Sequence, residues 1–131
     1  METEHLIALL RELRDTKYYV ASCALKRSYL SFRCGADGEA GLIRAGALQE
    51  LRQVFALEEW IGRLGGVPEA VRKNREGEEV QERYRLLHLV KRNLPPPNGS
   101  RVVEGLRAFL LQLAEEEKRR IEELKAEALN G

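Results

Sequence analysis

Residues Gly41 to Leu51 read GLIRAGALQEL, and the fold turns on how Gly46 is read. Leu42 and Ile43 before it and Leu48 and Leu51 after it keep helical spacing. A glycine inside a helix is about 1 kcal/mol less favourable than alanine. Gly46 is therefore either tolerated by close packing or marks a corner between two helices. The pattern recurs at IGRLGGVPEAV, around Gly65 and Gly66, and more loosely at RVVEGLRAFLL, around Gly105. This recurrence favours the corner and predicts a turn at Gly46.

Outward from that stretch, almost everything reads as helix. Strand signals are missing: there is no sustained alternation and no hairpin turn between β-branched runs. Leu6, Leu9, Leu10 and Leu13 form an apolar stripe that RDTK (Arg14 to Lys17) softly breaks. A second helix carries Tyr18, Val20, Ala21, Ala24, Leu25, Tyr29 and Phe32. CGADGEAG (Cys34 to Gly41) is a glycine-rich connector, and Pro68 suits the first turn of a short helix. Asn74 to Glu79 is a polar connection. Val80, Tyr84, Leu87 and Val90 share one helical face, which NLPPPNGS ends. Ser100 is placed to cap a last helix whose stripe is Val103, Leu106, Leu110 and Leu113. That stripe is interrupted at Glu117 and resumes at Ile121, Leu124 and Ala128. The charged tail predicts a solvated helical extension, with Glu116 and Arg120 paired at helical spacing.

A chain of 131 residues, 44% hydrophobic and 33% charged, suits one domain with a packed core, residues 1–131. The formal net charge of +1 gives no global field that would attract nucleic acid or an anionic membrane. The N-terminal residues do not read as a secretory signal, and no stretch approaches the length of a membrane span. Cys23 and Cys34 fit reduced thiols, and the expected location is cytoplasmic or nuclear.

Placing Leu6 against Leu48 gives an offset of 42 residues, and placing Gly66 against Gly105 gives 39. Helical repeats of the HEAT and armadillo type run to roughly 40–47 residues. On VASCALKRSYLSF…AGLIRAGALQELRQVF and EEVQERYRLLHLV…SRVVEGLRAFLLQL, the chain resembles the armadillo family. The resemblance implies an all-α, short armadillo/HEAT-like helical-repeat domain, solenoid-like over residues 1–113, with a charged C-terminal helix extension over residues 114–131. Gly46 and Gly66 stand only 20 residues apart, too close for two whole units. The resemblance also implies a concave face where Gln49, Arg52 and Arg72 would meet a protein partner.

Catalytic chemistry finds no constellation. His5 and His88 have no ligands at metal spacing, and no Glu-x-x-His occurs, so neither a metal nor a cofactor is expected. GADGEAG lacks the lysine and hydroxyl of a phosphate loop. Neither cysteine has a paired histidine by spacing. GLIRAG and NLPPPNGSRVVEGLRAFLLQLAEE also resemble parts of the Rho GTPase-activating domain, which would make Arg44 an arginine finger and Asn98 its companion. Only 54 residues separate the two, short for that family. The cations Arg72, Lys73, Arg75, Lys91, Arg92, Arg101 and Arg107 offer a route to nucleic acid. Tryptophan and arginine are over-represented at interface hot spots, which adds Trp60 to the partner-binding candidates Gln49, Arg52, Arg72, Lys73 and Arg107. The expected function is a non-enzymatic protein-interaction module or adaptor, binding through its helical surface or its C-terminal helix. A small-GTPase regulator and a nucleic-acid-binding bundle are the alternatives.

Overall fold

The computed structural model describes residues 3–72 and 75–130. It is all-helical, with α1 (Thr3–Arg33), α2 (Asp37–Arg63), α3 (Glu79–Arg92) and α4 (Arg101–Asn130). Contacts along the helices give their directions. Lys17 meets Glu50, and Ser28 meets Ala40, so α1 and α2 are antiparallel. Arg27 meets Glu79 and Glu12 meets Arg85, so α3 also runs against α1. Lys17 with Glu117 and Arg27 with Glu127 set α4 parallel to α1. The result is a four-helix bundle in which α2 and α3 point the same way. The connection between them must therefore travel back along the bundle. One core of Leu6, Leu10, Leu13, Leu57, Ile61, Leu86, Val90, Leu106, Leu110 and Leu113 draws on all four helices.

The corner expected at Gly46 is absent. α2 runs unbroken from Asp37 to Arg63, and Gly46 lies inside it. A Cβ at Gly46 would sit 2.5 Å from the Arg120 Nη1 atom. The missing side chain therefore makes room for a guanidinium that crosses from α4. Gly105 likewise lies within α4, where its Cβ would come 3.1 Å from the Trp60 ring. The Gly65–Gly66 pair ends α2. Gly65 takes a φ of 90°, its N–H donates to the Gly62 carbonyl, and the Gly66 N–H donates to that of Ile61. This is the glycine-stopped helix end known as the Schellman motif. Cys34–Ala36 turns α1 into α2 by the same device, with Gly35 at a φ of 82°.

Two further expectations change. RDTK does not break a helix, because α1 is continuous over 31 residues and all four of these side chains are buried. No short helix starts at Pro68; the described part of the connection between α2 and α3 has no regular secondary structure and lies along α1. Arg11 donates to the Val67 carbonyl, and Arg14 to those of Glu69 and Ala70. Tyr19 donates to the Gly77 carbonyl at 2.6 Å. These bonds satisfy backbone groups that no secondary structure would satisfy. At the other end, the Ser100 hydroxyl caps α4 as expected, accepting from the Val103 N–H. Among the described residues, no helix is long and apolar enough to cross a membrane.

Candidate functional site

The bundle centre is ionic. Each helix places one charged residue on its apolar stripe: Lys17 on α1, Glu50 on α2, Arg83 on α3 and Glu117 on α4, each at most 1% exposed. Lys17 Nζ lies 2.7 Å from Glu117 and 3.3 Å from Glu50. Arg83 grips both oxygens of Glu50 at 2.8 and 2.9 Å and reaches Glu117 at 2.8 Å. Arg120 closes the edge against Glu50, and Glu79 completes Arg83. Three cations thus face three carboxylates. Burial alone would raise the Glu50 pKa; the Arg83 hydrogen bonds and the charges of Lys17, Arg83 and Arg120 outweigh it and hold the carboxyl below its usual value. Burial opposes the Arg83 charge too, yet bonds and charges from Glu50 and Glu117 raise its pKa. The charges of the network are matched, although the Arg120 Nε–H, 3.3 Å from Glu50, makes no hydrogen bond. The network fixes how the four helices slide against one another.

A second set of charges holds the connection. Arg14 binds Asp15 and Glu58 as well as the two carbonyls already named. Glu12 accepts from Arg72, Arg75 and Arg85. Burial would raise the Glu12 pKa, and the bonds from Arg85 and Arg75 hold it low instead.

The partner-binding residues expected from sequence are dispersed. Gln49 and Arg52 are exposed on α2 on the side facing α4, where Gln49 bonds Arg120. Arg72 lies against α1 and is engaged by Glu12. Arg107 donates to the Pro95 carbonyl. Trp60 packs inward over Gly105 and Phe109, with Arg63 stacked on its outer face at 4.7 Å. Lys73 lies outside the described residues. Arg120 pairs with Glu50 and not with Glu116, which meets Gln53.

Exposed large apolar side chains also occur singly along the helices, Phe55 and Leu42 among them, and three of them, Tyr29, Leu30 and Phe32, gather at the end of the α1–α2 hairpin. There the two helices approach through small residues, Ala24, Ser28, Ala40 and Ala47, and Ser28 donates to the Ala40 carbonyl at 2.8 Å. Such close approach leaves no room between the helices for large side chains, so these stand outside. Tyr29, Leu30 and Phe32 are each about 60% exposed. α3 has only 14 residues and starts beside Arg27, so it does not reach this end of α1. Leu25, Ser28, Tyr29, Phe32, Ala40, Gly41 and Arg44 enclose a groove of about 450 Å³ between the helices. A shallower depression beside it is walled by Leu25, Lys26, Tyr29 and Leu30. The groove's lining includes one cation, Arg44, and one acid, Asp37. Lys26 stands at the depression beside it and Arg33 lies 6.0 Å over the Tyr29 ring, and no ion pair among the described residues engages Lys26, Arg33 or Arg44. Leu25, Tyr29 and Phe32 were legible as a helical face, but periodicity alone does not say that this face lacks a cover.

A larger cleft of about 600 Å³ separates the same end of α2 from α4, with Glu50, Arg83 and Arg120 among its walls. Its cations are already matched: Arg27 with Glu79 and Glu127, Arg119 with Glu123, and Arg120 with Glu50. Cys23 and Cys34 are free, and burial raises the Cys23 thiol pKa, which works against a reactive thiolate. Among the described residues, no three side chains of metal-binding type converge. In comparisons with known proteins, no family model, no curated protein and no solved structure matches this chain.

Proposed function

We propose that this protein is a non-enzymatic interaction module that engages a protein partner through the open end of its α1–α2 hairpin. The observation that carries this reading is the cluster of Tyr29, Leu30 and Phe32, each about 60% exposed and contiguous with a groove. Scattered exposed apolar residues need no explanation, whereas an aromatic patch with a polar rim is the usual composition of a binding surface. The armadillo/HEAT-like reading contributes the idea of a helical recognition surface, but loses its main motif with the unbroken helix at Gly46.

The two alternatives have less support. Arg44 stands 16 residues along α2 from Trp60, which meets Gly105 near the start of α4. Arg44 is thus about 24 Å along the bundle from that level, and Asn98 precedes α4 at the same far end, bonded to the Ser100 N–H. A nucleic-acid face from Arg72 to Arg107 would need free cations; Arg72, Arg75 and Arg107 are engaged internally, which leaves Lys91, Arg92 and Arg101 without an ion-pair partner among the described residues.

A pull-down from native cells, comparing wild type with Tyr29→Ser/Leu30→Ser/Phe32→Ser and with Arg52→Ala/Arg72→Ala, tests the proposal. The expected result is a protein retained by wild type and by the arginine variant and lost by the hairpin variant. Unchanged retention by the hairpin variant would overturn it.

A further inference from the structure

We infer that the occupant of the hairpin groove is a short acidic amphipathic segment of the partner, docked as a helix between α1 and α2. This rests on the interaction reading above and specifies its chemistry. The groove floor is made of small residues, Ser28, Ala40 and Gly41, with Leu25, Tyr29 and Phe32 as apolar walls. A Cβ added at Gly41 would meet nothing within 4 Å, so the floor is open to a ligand backbone or anchor side chain. Helix-in-groove recognition uses this form: apolar anchors at helical spacing, read by a trough with a charged rim.

Charge selects the partner's sign. Arg44 lines the groove together with Asp37, Lys26 lines the depression beside it, and Arg33 lies over the Tyr29 ring; none of these cations has a carboxylate partner in an ion pair among the described residues. Opposite charge on an incoming segment steers its approach and sets its register. Size selects its length. Three large side chains about 60% exposed offer on the order of 300 Å² of contact. A standard stable interface buries about 800 Å² per partner. That area suits a segment of about three helical turns better than a second copy of this chain. Three such cations are also few for a nucleic-acid backbone, where binders commonly neutralise about 6–10 phosphates.

The test is selection from a displayed library of random peptides about three helical turns long, with the full chain as bait. Fluorescence anisotropy then follows the selected peptides and a single-stranded oligonucleotide on three proteins: wild type, Gly41→Leu and Arg44→Glu. Gly41→Leu fills the groove at an open helical position, so its melting temperature is expected not to fall. The selected peptides should be net acidic with apolar residues at helical spacing. They should bind Gly41→Leu and Arg44→Glu at least about tenfold more weakly, and weaken as salt rises. Failure to select any peptide, selection of neutral or basic ones, undiminished binding to Gly41→Leu, or tighter binding of the oligonucleotide would each overturn the inference. So would self-association in sedimentation that Gly41→Leu abolishes. If any of these occurs while the hairpin serine variant still loses its cellular partner, the interaction reading stands and only the acidic-segment inference falls.

Discussion

Gly46 shows how a single residue can mislead and then explain. Its helix is continuous, and the space left by its missing side chain is taken by the Arg120 guanidinium, which reaches Glu50 and Gln49. Gly41, one turn earlier, faces open space. The two glycines should therefore respond differently to alanine. Gly41→Ala is expected to raise unfolding free energy by about 0.5–1 kcal/mol through helix propensity alone. Gly46→Ala should gain less, because Arg120 must shift to accommodate the methyl group. In an Arg120→Ala background the Gly46→Ala gain should recover to the Gly41 value. Urea denaturation of the four proteins measures this coupling. Sequence alone could locate Gly46 within helical spacing. It could not locate Arg120, 74 residues away, against it.

At the scale of elements, each helix interrupts its apolar stripe with one charge, and the four interruptions meet. Lys17 continues Leu6, Leu10 and Leu13, while Glu117 continues Leu106, Leu110 and Leu113. The helical character of these segments was legible from their period, and so was the break at Glu117, but the sequence reads α1 as two helices and α2 as cornered at Gly46. RDTK reads as a break in the stripe and the charged tail as a solvated extension, because exposure is the usual fate of charged residues. What decides the burial of Lys17 and Glu117 is complementarity between helices distant in sequence. Removing one member leaves a buried charge unmatched, so Glu50→Gln or Lys17→Met should destabilise the fold by about 3–5 kcal/mol. Replacing Lys17, Glu50, Arg83 and Glu117 together with apolar residues of similar size should restore part of that loss, with Arg120 at the edge left without its Glu50 partner. Thermal melts of the single and quadruple variants measure both effects. Arg14 anchors the connection between α2 and α3 as well as Asp15 and Glu58. Arg14→Ala should accordingly raise amide hydrogen exchange around residues 66–72 well above that of the α4 core.

For the whole molecule, acid is the natural stress. Glu50 and Glu12 both have pKa values lowered below the usual 4.5. A carboxylate with a depressed folded pKa contributes stability that is fully present above its unfolded value and lost as pH falls through the folded one. The melting temperature should therefore change little from neutral pH down to about 5 and fall below about 4.5. In Glu50→Gln the acid-side fall should be shallower. The same architecture frees one end of the α1–α2 hairpin, because small residues close the gap between these helices and the short α3 stops beside Arg27. Sequence showed the apolar face of Leu25, Tyr29 and Phe32, but bareness depends on where α3 begins, and that is a property of the assembled bundle. The most direct measurement is photo-cross-linking in native cells from a reactive side chain placed at position 32 or at position 52. The account predicts a protein adduct from position 32 that Gly41→Leu suppresses, and none from position 52. An adduct from position 52 with none from position 32 would contradict it.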